Sequence, residues 1–531
     1  MRKAMMAAVL MAAGMVTAAE TPRDYSAAVA ADLATPVRPG GVDGRPFWNG
    51  NSTVFMYPPA FDFKESPTPV DGYTYEIRDA YGQFHSFKAP TPHAALTNVW
   101  AELPTGFTTV SCYAWREWSA RRMLMGTRMF WKSAPFTGRY PERKYPYAES
   151  ARMGLEYVLK APSNRYMLEH GTEDPDFLYN AYPAKMHSSV IKAAVEAARF
   201  DEKLRDEAIR LAVRSADYLI SLSEGADRPL AFFPPTYRGE KVTAAQYAGQ
   251  VMSIYPATAA EAYAELYELV KDAKYLRAAE GIAATYLKLQ GPDGTWALKY
   301  TLADGKALGD NRVVPISSIM PMFIRLHRLT GKAEYRAAAD RAFAYLERAC
   351  VANWNWEGQF EDVEPTPPYV NLTKHDACAT AIYLVDTCPD DPERIALARE
   401  LLRFAEDQFV FWERPFQGAN YPKGTAALDT ENWACPSVTE QYFWYVPIDA
   451  SAAKLIRTYL ALYRAEGKEL DLAKARALGD SITLRQWNDG GIPTHWCFRE
   501  YPNSIWMNCH IYATLALKEL AEADAKAKEA Q

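Results

Sequence analysis

The sequence predicts a mainly α-helical protein in which six helical hairpins close into a ring behind a small N-terminal β domain. Two observations support this fold class. The spacing of apolar residues changes from two near the N terminus to about 3.6 from Tyr145 onward. A helical pattern also recurs about every 60 residues, which is the length of two helices with their connections.

Residues 1–19 are expected to be a cleavable signal peptide. Arg2 and Lys3 form a short positive region, and the apolar stretch after them is too short to span a bilayer. Val16-Thr17-Ala18 then supplies the pattern of small residues that signal peptidase accepts. We therefore expect a periplasmic or secreted protein without a membrane anchor, since no later stretch has the roughly 18 apolar residues of a membrane helix.

Residues 20–140 are predicted to form a small β-sandwich of immunoglobulin-like size. Tyr73–Ile77 alternates apolar and polar residues, and the segment Phe84–Phe87 can form the returning strand after a turn. Phe107–Trp115 is a second run of β-branched and aromatic residues. Pro and Gly separate these runs, as in a domain of short strands joined by turns.

Residues 141–531 are predicted to form the ring, an (α/α)6 toroid. Amphipathic helices alternate along this region with less polar helices rich in Ala, Ser, Ile and Leu. The less polar helices belong inside the ring, because the charged faces of the others require water. The inner helices are expected at about 184–200, 251–270, 315–330, 373–386, 449–465 and 506–524. A helix at 147–160 completes the outer set of six.

Composition argues against several classes of function. The net charge is −6 and the Lys and Arg residues are dispersed, whereas nucleic-acid binding needs a concentrated basic face. The chain has no GxGxxG or GxxxxGK[ST] motif and no Cys/His metal spacing, so we expect neither a nucleotide cofactor nor a metal. The seven cysteines leave at least one free thiol, although Cys378 with Cys388, or Cys497 with Cys509, could pair.

Two loops share a signature between an outer and an inner helix. Gln290–Trp296 and Gln486–Trp496 both place an Asp-Gly turn before a tryptophan. Together with the inner helices that follow, this pattern resembles the six-hairpin glycosidase-like superfamily over about residues 145–525. The resemblance implies a carbohydrate-active toroid. That group includes unsaturated glucuronyl hydrolases, sugar epimerases and exo-acting glycosidases, and related toroids serve polysaccharide lyases, so the fold alone does not give the reaction.

In such a ring, the loops that enter the inner helices meet at one mouth, where we expect the site. The richest segment, Asn353 to Asp376, interleaves tryptophans with acids, as in a sugar platform edged by hydrogen-bonding groups. Glycoside cleavage needs a proton donor and a second carboxylate, and burial would raise the pKa of the donor. The catalytic candidates are Glu361, Asp362, His375, Asp376 and Glu440. Alternatively, these acids cap helices or form salt bridges, and the tryptophans plug the end of the ring.

The substrate-binding candidates lie in the same loops. They are Trp354, Trp356, Gln359, Lys374, Tyr442, Trp444, Tyr445, His187, Arg312, Asn508 and His510. Among them, Arg312, Lys374, Asn508 and His510 could neutralise the carboxylate of a uronic acid. A lone histidine in such a helix is, however, more often a satisfied core residue.

The favoured hypothesis is a glycoside hydrolase, exo-acting on a uronic-acid-containing glycan and active as a monomer or homodimer. Aromatic residues make up 13% of the chain, which fits sugar binding because aromatic faces stack on pyranose rings. The first alternative is a polysaccharide lyase, with a Tyr or His base and Asn, His or Arg to stabilise the enolate-like charge. The second is a glycan-binding protein without catalysis.

Overall fold

The computed structural model describes most of the chain. The described residues are 24–35, 52–241, 244–309, 313, 315–358, 367, 369–413, 434–442, 446–495 and 505–529. The predicted signal peptide lies outside these ranges, as do Gln359, Glu361, Asp362, Arg312, Trp444 and Tyr445. No described helix is long and apolar enough to cross a membrane.

The described elements of the N-terminal domain are α1 (Ser26–Leu33), β1 (Val54–Phe55), β2 (Gly72–Arg78), β3 (Phe84–Ala89), α2 (Thr97–Trp100), β4 (Gly106–Arg116) and β5 (Ser119–Lys132). The five strands form one sheet in the order β1-β5-β4-β2-β3. β1 runs parallel to β5, and the other neighbours are antiparallel. The strands predicted around 73–77, 84–87 and 107–115 are confirmed as β2, β3 and β4.

The described residues of this domain form a single sheet, whereas the sequence predicted a sandwich of two. The inward face of the sheet is covered by aromatic side chains of the connecting segments: the Phe61 ring centroid lies 5.5 Å from that of Phe130. Trp100 stacks on the same Phe130 ring, at 5.9 Å. Because these rings already bury the apolar face, the described residues need no second sheet to complete the core.

Within its described residues, the ring consists of twelve helices, as predicted, with one short addition. Its outer helices are α3 (Tyr147–Lys160), α6 (Arg205–Ser221), α8 (Ala273–Leu289), α10 (Ala333–Leu346), α12 (Pro392–Phe409) and α14 (Glu469–Arg485). Its inner helices are α5 (Pro183–Phe200), α7 (Ile254–Val270), α9 (Ile319–Thr330), α11 (His375–Thr387), α13 (Asp449–Glu466) and α15 (Met507–Glu529). The addition is α4 (Pro162–His170), between the first outer and the first inner helix.

Four short strands lie in those connections of the ring that the structure describes. They form two-stranded antiparallel ladders, β6 (Gln250–Met252) with β7 (Lys299–Thr301) and β8 (Val410–Phe411) with β9 (Ser437–Val438). Local chemistry fixes several helix ends. Asp391 caps α12 by accepting from the backbone N–H of Glu393, and Gly467 ends α13 with a left-handed φ of 67°.

The ring closes where the last inner helix, α15, packs against the first outer helix, α3. Gly154 of α3 makes this approach possible, because a Cβ atom there would collide with the side chain of Thr514. α15 also packs against its inner neighbours α5 and α13.

The N-terminal domain sits against the outer helices α12 and α14, whose polar residues are therefore buried instead of solvated. Lys474 forms an ion pair with Glu406 at 2.8 Å, and both side chains are at most 4% exposed. Glu406 also accepts from Tyr57 and from Trp412 Nε1, both at 3.0 Å. Asp407 accepts the backbone N–H groups of Met56 and Tyr57, both at 2.8 Å. Glu406 and Lys474 both belong to the ring, but their contact lies at its boundary with the N-terminal domain, and we call it the interdomain ion pair.

The described cysteines contribute to packing as free thiols and not to disulfide bonds. Within the described ranges, Cys112, Cys350, Cys378, Cys388, Cys435 and Cys509 are free thiols. The suggested disulfide between Cys378 and Cys388 is therefore wrong, and Cys497, the suggested partner of Cys509, lies outside the described residues.

Candidate active site

The first turns of the inner helices meet at one end of the ring, its mouth. Lys185 of α5 lies under rings from two other hairpins: its Nζ is 5.6 Å from the Tyr255 ring centroid and 4.9 Å from that of Trp506. The electrostatic environment of His375 includes Lys185, Lys374 and Lys454, which come from three separate parts of the ring. Side chains from at least four hairpins therefore share this mouth.

One side of the mouth is an aromatic cluster, which we define as Tyr179, Tyr182, Tyr255 and Trp506. Tyr179 and Trp506 lie in close contact, with centroids 4.1 Å apart, and Tyr182 is 6.0 Å from Trp506. Tyr179, Tyr255 and Trp506 are half-buried, so part of each ring remains accessible. Such rings can stack on the apolar faces of sugars while their polar tips donate hydrogen bonds.

The opposite side carries the ionisable residues at the start of α11. The His375 side chain keeps a neutral imidazole, because burial, together with Lys454, Lys374 and Lys185, holds its pKa well below the usual value. A neutral imidazole can accept a proton or donate one hydrogen bond.

Asp376, next to His375, has the properties of a proton donor. It is 6% exposed, and within the described part of the chain its Oδ1 has no hydrogen-bond partner. Burial raises the pKa of this carboxyl group to about 7, although the nearby Lys454 opposes the shift. The first turn of a helix normally favours a carboxylate, so here desolvation outweighs the helix dipole. Asp376 consequently holds a proton near neutral pH.

Lys374 and Glu440 occupy the loop beside this pair. Lys374 Nζ donates to the carbonyl oxygens of Thr439, at 2.9 Å, and Glu440. The prediction that Lys374 binds substrate is therefore corrected: its side chain is 1% exposed and fastens the loop to α11. The half-buried Glu440 lies close enough to Lys374 to influence its pKa, so the structure brings Asp376 and Glu440 to the same region.

Lys454 of α13 remains available to a ligand. Its Nζ lies 5.5 Å from the Tyr512 ring centroid, and no described residue forms an ion pair with it. Burial lowers the pKa of Lys454 to about 8. An anion in the mouth would offset the desolvation cost of the charged Lys454 by pairing with its ammonium group.

Two tryptophans and a tyrosine predicted to bind substrate serve packing instead. Trp354 and Trp356 are fully buried, edge to face at 6.2 Å, and Trp354 also contacts Phe404 of α12, at 6.5 Å. The Tyr442 hydroxyl donates to Gln408 Oε1 at 2.5 Å, and Gln408 in turn bonds to Ser52 of the N-terminal domain. These three rings offer no face on which a sugar could stack. The prediction that the tryptophans form a sugar platform is therefore corrected in favour of the alternative, in which they plug the end of the ring.

The remaining polar candidates separate into two groups. His510 is a satisfied core histidine, since Nδ1 accepts from the Ile492 N–H at 3.1 Å and Nε2 lies 3.0 Å from the Gly154 carbonyl oxygen. That corrects its assignment to substrate binding. His187 is buried, packs on Tyr218 at 5.3 Å, and lines a small cavity apart from the residues around Asp376. Asn508 is 8% exposed, and its Oδ1 finds no partner within the described ranges, so it remains a candidate.

Sequence reasoning missed Lys185 and Lys454. Lys185 is the third residue of α5 and Lys454 the sixth residue of α13, and the immediate neighbours of both lysines are Ala, Met or Leu. Their signal was available, because a charged side chain on the least polar face of a ring must meet either a partner or a ligand.

Asp376→Asn is expected to stabilise the protein at pH 8. Between pH 3.8 and about 7 the unfolded chain releases the Asp376 proton while the folded protein keeps it. The free energy of unfolding therefore falls as the pH rises through this range, and the whole loss remains above pH 7. An amide cannot ionise, so urea unfolding at pH 8 should show a free energy of unfolding higher than that of the wild type by the order of 2–4 kcal/mol. This difference should vanish below pH 4. The exposed Asp340→Asn serves as control, and a variant no more stable than the wild type at pH 8 would contradict the burial argument.

Comparisons with known proteins identify the fold. A D-mannose isomerase matches with a TM-score of 0.51 and 13% identity, over 72% of this chain and 100% of that chain. The cellobiose 2-epimerase from Spirochaeta thermophila matches with a TM-score of 0.51 and 15% identity, with the same coverage. A family 76 glycoside hydrolase from Bacteroides thetaiotaomicron matches at 0.46 and 12%, over 86% of this chain and 95% of that one.

At identities this low, the matches establish the architecture alone: the chain has an (α/α)6 toroid, as its sequence predicted. No protein-family model matches the chain, and no curated protein matches it.

Proposed function

We propose that the protein is a carbohydrate-active enzyme, a glycoside hydrolase for sugars that carry a carboxylate, with Asp376 as proton donor. The observation that carries the proposal is the buried Asp376 carboxyl group at the mouth of the ring, with a pKa of about 7. A general acid works best when its pKa lies near the working pH, and glycosidases obtain such an acid by burying a carboxyl group.

The charges around Asp376 support an anionic substrate. Lys185 and Lys454 enter the mouth from two different helices, and burial of Lys454 disfavours its charge unless an anion is bound. The aromatic cluster beside Lys185 would hold the sugar ring while the ammonium groups pair with its carboxylate. The neutral amide of Asn508 adds a further hydrogen-bonding group.

A hydrolase also needs a second carboxylate, either as base or as nucleophile. We assign this role to Glu440, since it lies in the loop that Lys374 fastens to the start of α11. Glu361 and Asp362, predicted for the same role, lie outside the described residues. The predicted signal peptide would place this activity in the periplasm or outside the cell.

A lyase remains the second candidate, because of one specific observation. The neutral His375 lies among three lysines, an arrangement in which the imidazole could remove the proton next to a uronate carboxylate while the lysines stabilise the resulting charge.

Incubation with short uronate oligosaccharides tests the proposal and separates the two reactions. We expect new reducing ends without the ultraviolet absorbance of an unsaturated uronate, because hydrolysis leaves no double bond. Neutral oligosaccharides of the same length are the control and should remain intact. An absorbance that rises together with the reducing ends would identify the reaction as that of a lyase and reject the hydrolase. Saturable binding without any turnover would leave only a glycan-binding protein.

A further inference from the structure

The described residues leave the face of the five-stranded sheet opposite its aromatic core uncovered. Alternation along the strands assigns one set of side chains to this face, and several of them are large and exposed. The exposed fraction is 76% for Phe84, 54% for Met129 and 53% for Leu124. We call this side of the sheet the open sheet face, and the residues of it that matter below are Glu76, Arg78, Phe84, Lys88, Trp115 and Arg122.

Aromatic rings on this face are covered by cationic side chains. The distances from cation to ring centroid are 4.4 Å for Lys88 over Trp115, 4.7 Å for Arg122 over Tyr113, 5.8 Å for Arg78 over Phe84 and, at the β4–β5 turn, 5.2 Å for Arg116 over Trp118. Each contact lies within the range of a cation–π interaction. The rings thus hold four cations in fixed positions along the sheet.

Gly72 explains why one of these rings lies flat. A Cβ atom at this position would come within 3.2 Å of Trp115 Cζ2, so the glycine leaves room for the indole to cross β2. Lys88 of β3 then reaches over the indole from the other side of β2. The side chains of β2, β3 and β4 together build one cation position.

The charge of this face contrasts with that of the whole protein. The chain has a net charge of −6, yet the open sheet face presents Lys88, Arg78 and Arg122 against one acid, Glu76, which pairs with Arg122. Packing on the rings restricts the rotamers of these cations before a ligand binds, so less side-chain entropy is lost on binding.

We propose that the open sheet face binds a segment of an anionic polysaccharide. Carboxylate or sulfate groups would pair with Lys88, Arg78 and Arg122, and the sugar rings would rest on exposed apolar surface such as Phe84. A second copy of the chain fits less well, since the centre of a dimer interface is depleted of charged residues. This binding role goes beyond the proposed catalytic function and rests on different residues.

The test compares two charge-matched double variants. Lys88→Gln/Arg122→Gln removes two cations from the face, and Arg210→Gln/Arg277→Gln removes two exposed cations from the outer helices α6 and α8. Affinity electrophoresis in polygalacturonate, with a neutral glucan as the reference polymer, should show binding about tenfold weaker for the sheet variant only. Because no turnover is measured, this result does not depend on the hydrolase proposal.

Three outcomes would overturn the inference: unchanged binding by the sheet variant, an equal loss in the helix variant, or equal retention by the neutral glucan. Sedimentation of the wild type as a dimer that the sheet variant breaks would assign the face to a second copy instead. Unchanged cleavage of short uronate oligosaccharides by both variants would show that the sheet acts in binding the polymer and not in catalysis.

Discussion

Asp376→Asn is expected to lower turnover by about 10²–10⁴-fold, the usual contribution of a general acid, with the fold intact. The amide has nearly the shape of the carboxyl group but holds no acidic proton, so the leaving group departs unprotonated. Initial rates on uronate oligosaccharides measure the loss, and circular dichroism checks the fold. Asp386→Asn, on the exposed part of the same helix α11, is the matched control and should keep wild-type activity.

The pH profile adds a second criterion for Asp376. The wild-type rate should fall as the pH rises through about 7, because the donor loses its proton there. In the Asn variant, the small residual rate should lack this limb of the profile. Full activity in Asp376→Asn would reject the carboxyl group as donor. Glu440→Gln should also remove most turnover, and full activity in both variants would reject the carboxylate pair.

Lys474→Met is expected to lower the free energy of unfolding by about 3–5 kcal/mol, because it leaves the buried Glu406 carboxylate without its cation. Tyr57 and Trp412 still donate hydrogen bonds to Glu406, but neither donor neutralises its charge. Urea unfolding monitored by tryptophan fluorescence measures the effect. Lys288→Met, which removes an exposed lysine from the outer helix α8, should change stability by less than about 0.5 kcal/mol.

The double variant Glu406→Gln/Lys474→Met separates charge from shape at this interface. Since both members of the interdomain ion pair become neutral, most of the lost stability should return. A double variant as unstable as Lys474→Met would show that the packing of the lysine stem matters, and not the unpaired charge. A stable single variant would mean that the N-terminal domain is held mainly by its aromatic contacts.

The sequence allowed the ring to be predicted because its signal is periodic and repeated. The inner helices differ from the outer ones in polarity over many residues, and each copy supports the assignment of the others. Individual helix starts were less certain: α9 begins at Ile319, whereas the pattern predicted about 315. The single sheet was missed because alternation reveals which residues face inward, but not whether a second sheet or a connecting segment covers them.

The site was harder to predict because single residue types have several uses. Trp354 and Trp356 suit a sugar platform and a packed core equally well in sequence, and only their contacts with each other and with Phe404 decide. Asp376 was identified because it lies at the end of the segment that interleaves tryptophans with acids, at the start of an inner helix. Lys185 and Lys454 were overlooked because their importance depends on neighbours from other hairpins, which no local pattern contains.

The contact between α15 and α3 joins the two ends of the ring's sequence. Forming such a long-range contact restricts the whole chain between the two helices, which costs loop-closure entropy. The contact is therefore expected to form late in folding. A nascent chain that stops short of Met507 lacks Asn508 and leaves the apolar sides of α3, α5 and α13 in water. Until α15 has been synthesised, the chain is therefore expected to be prone to aggregate.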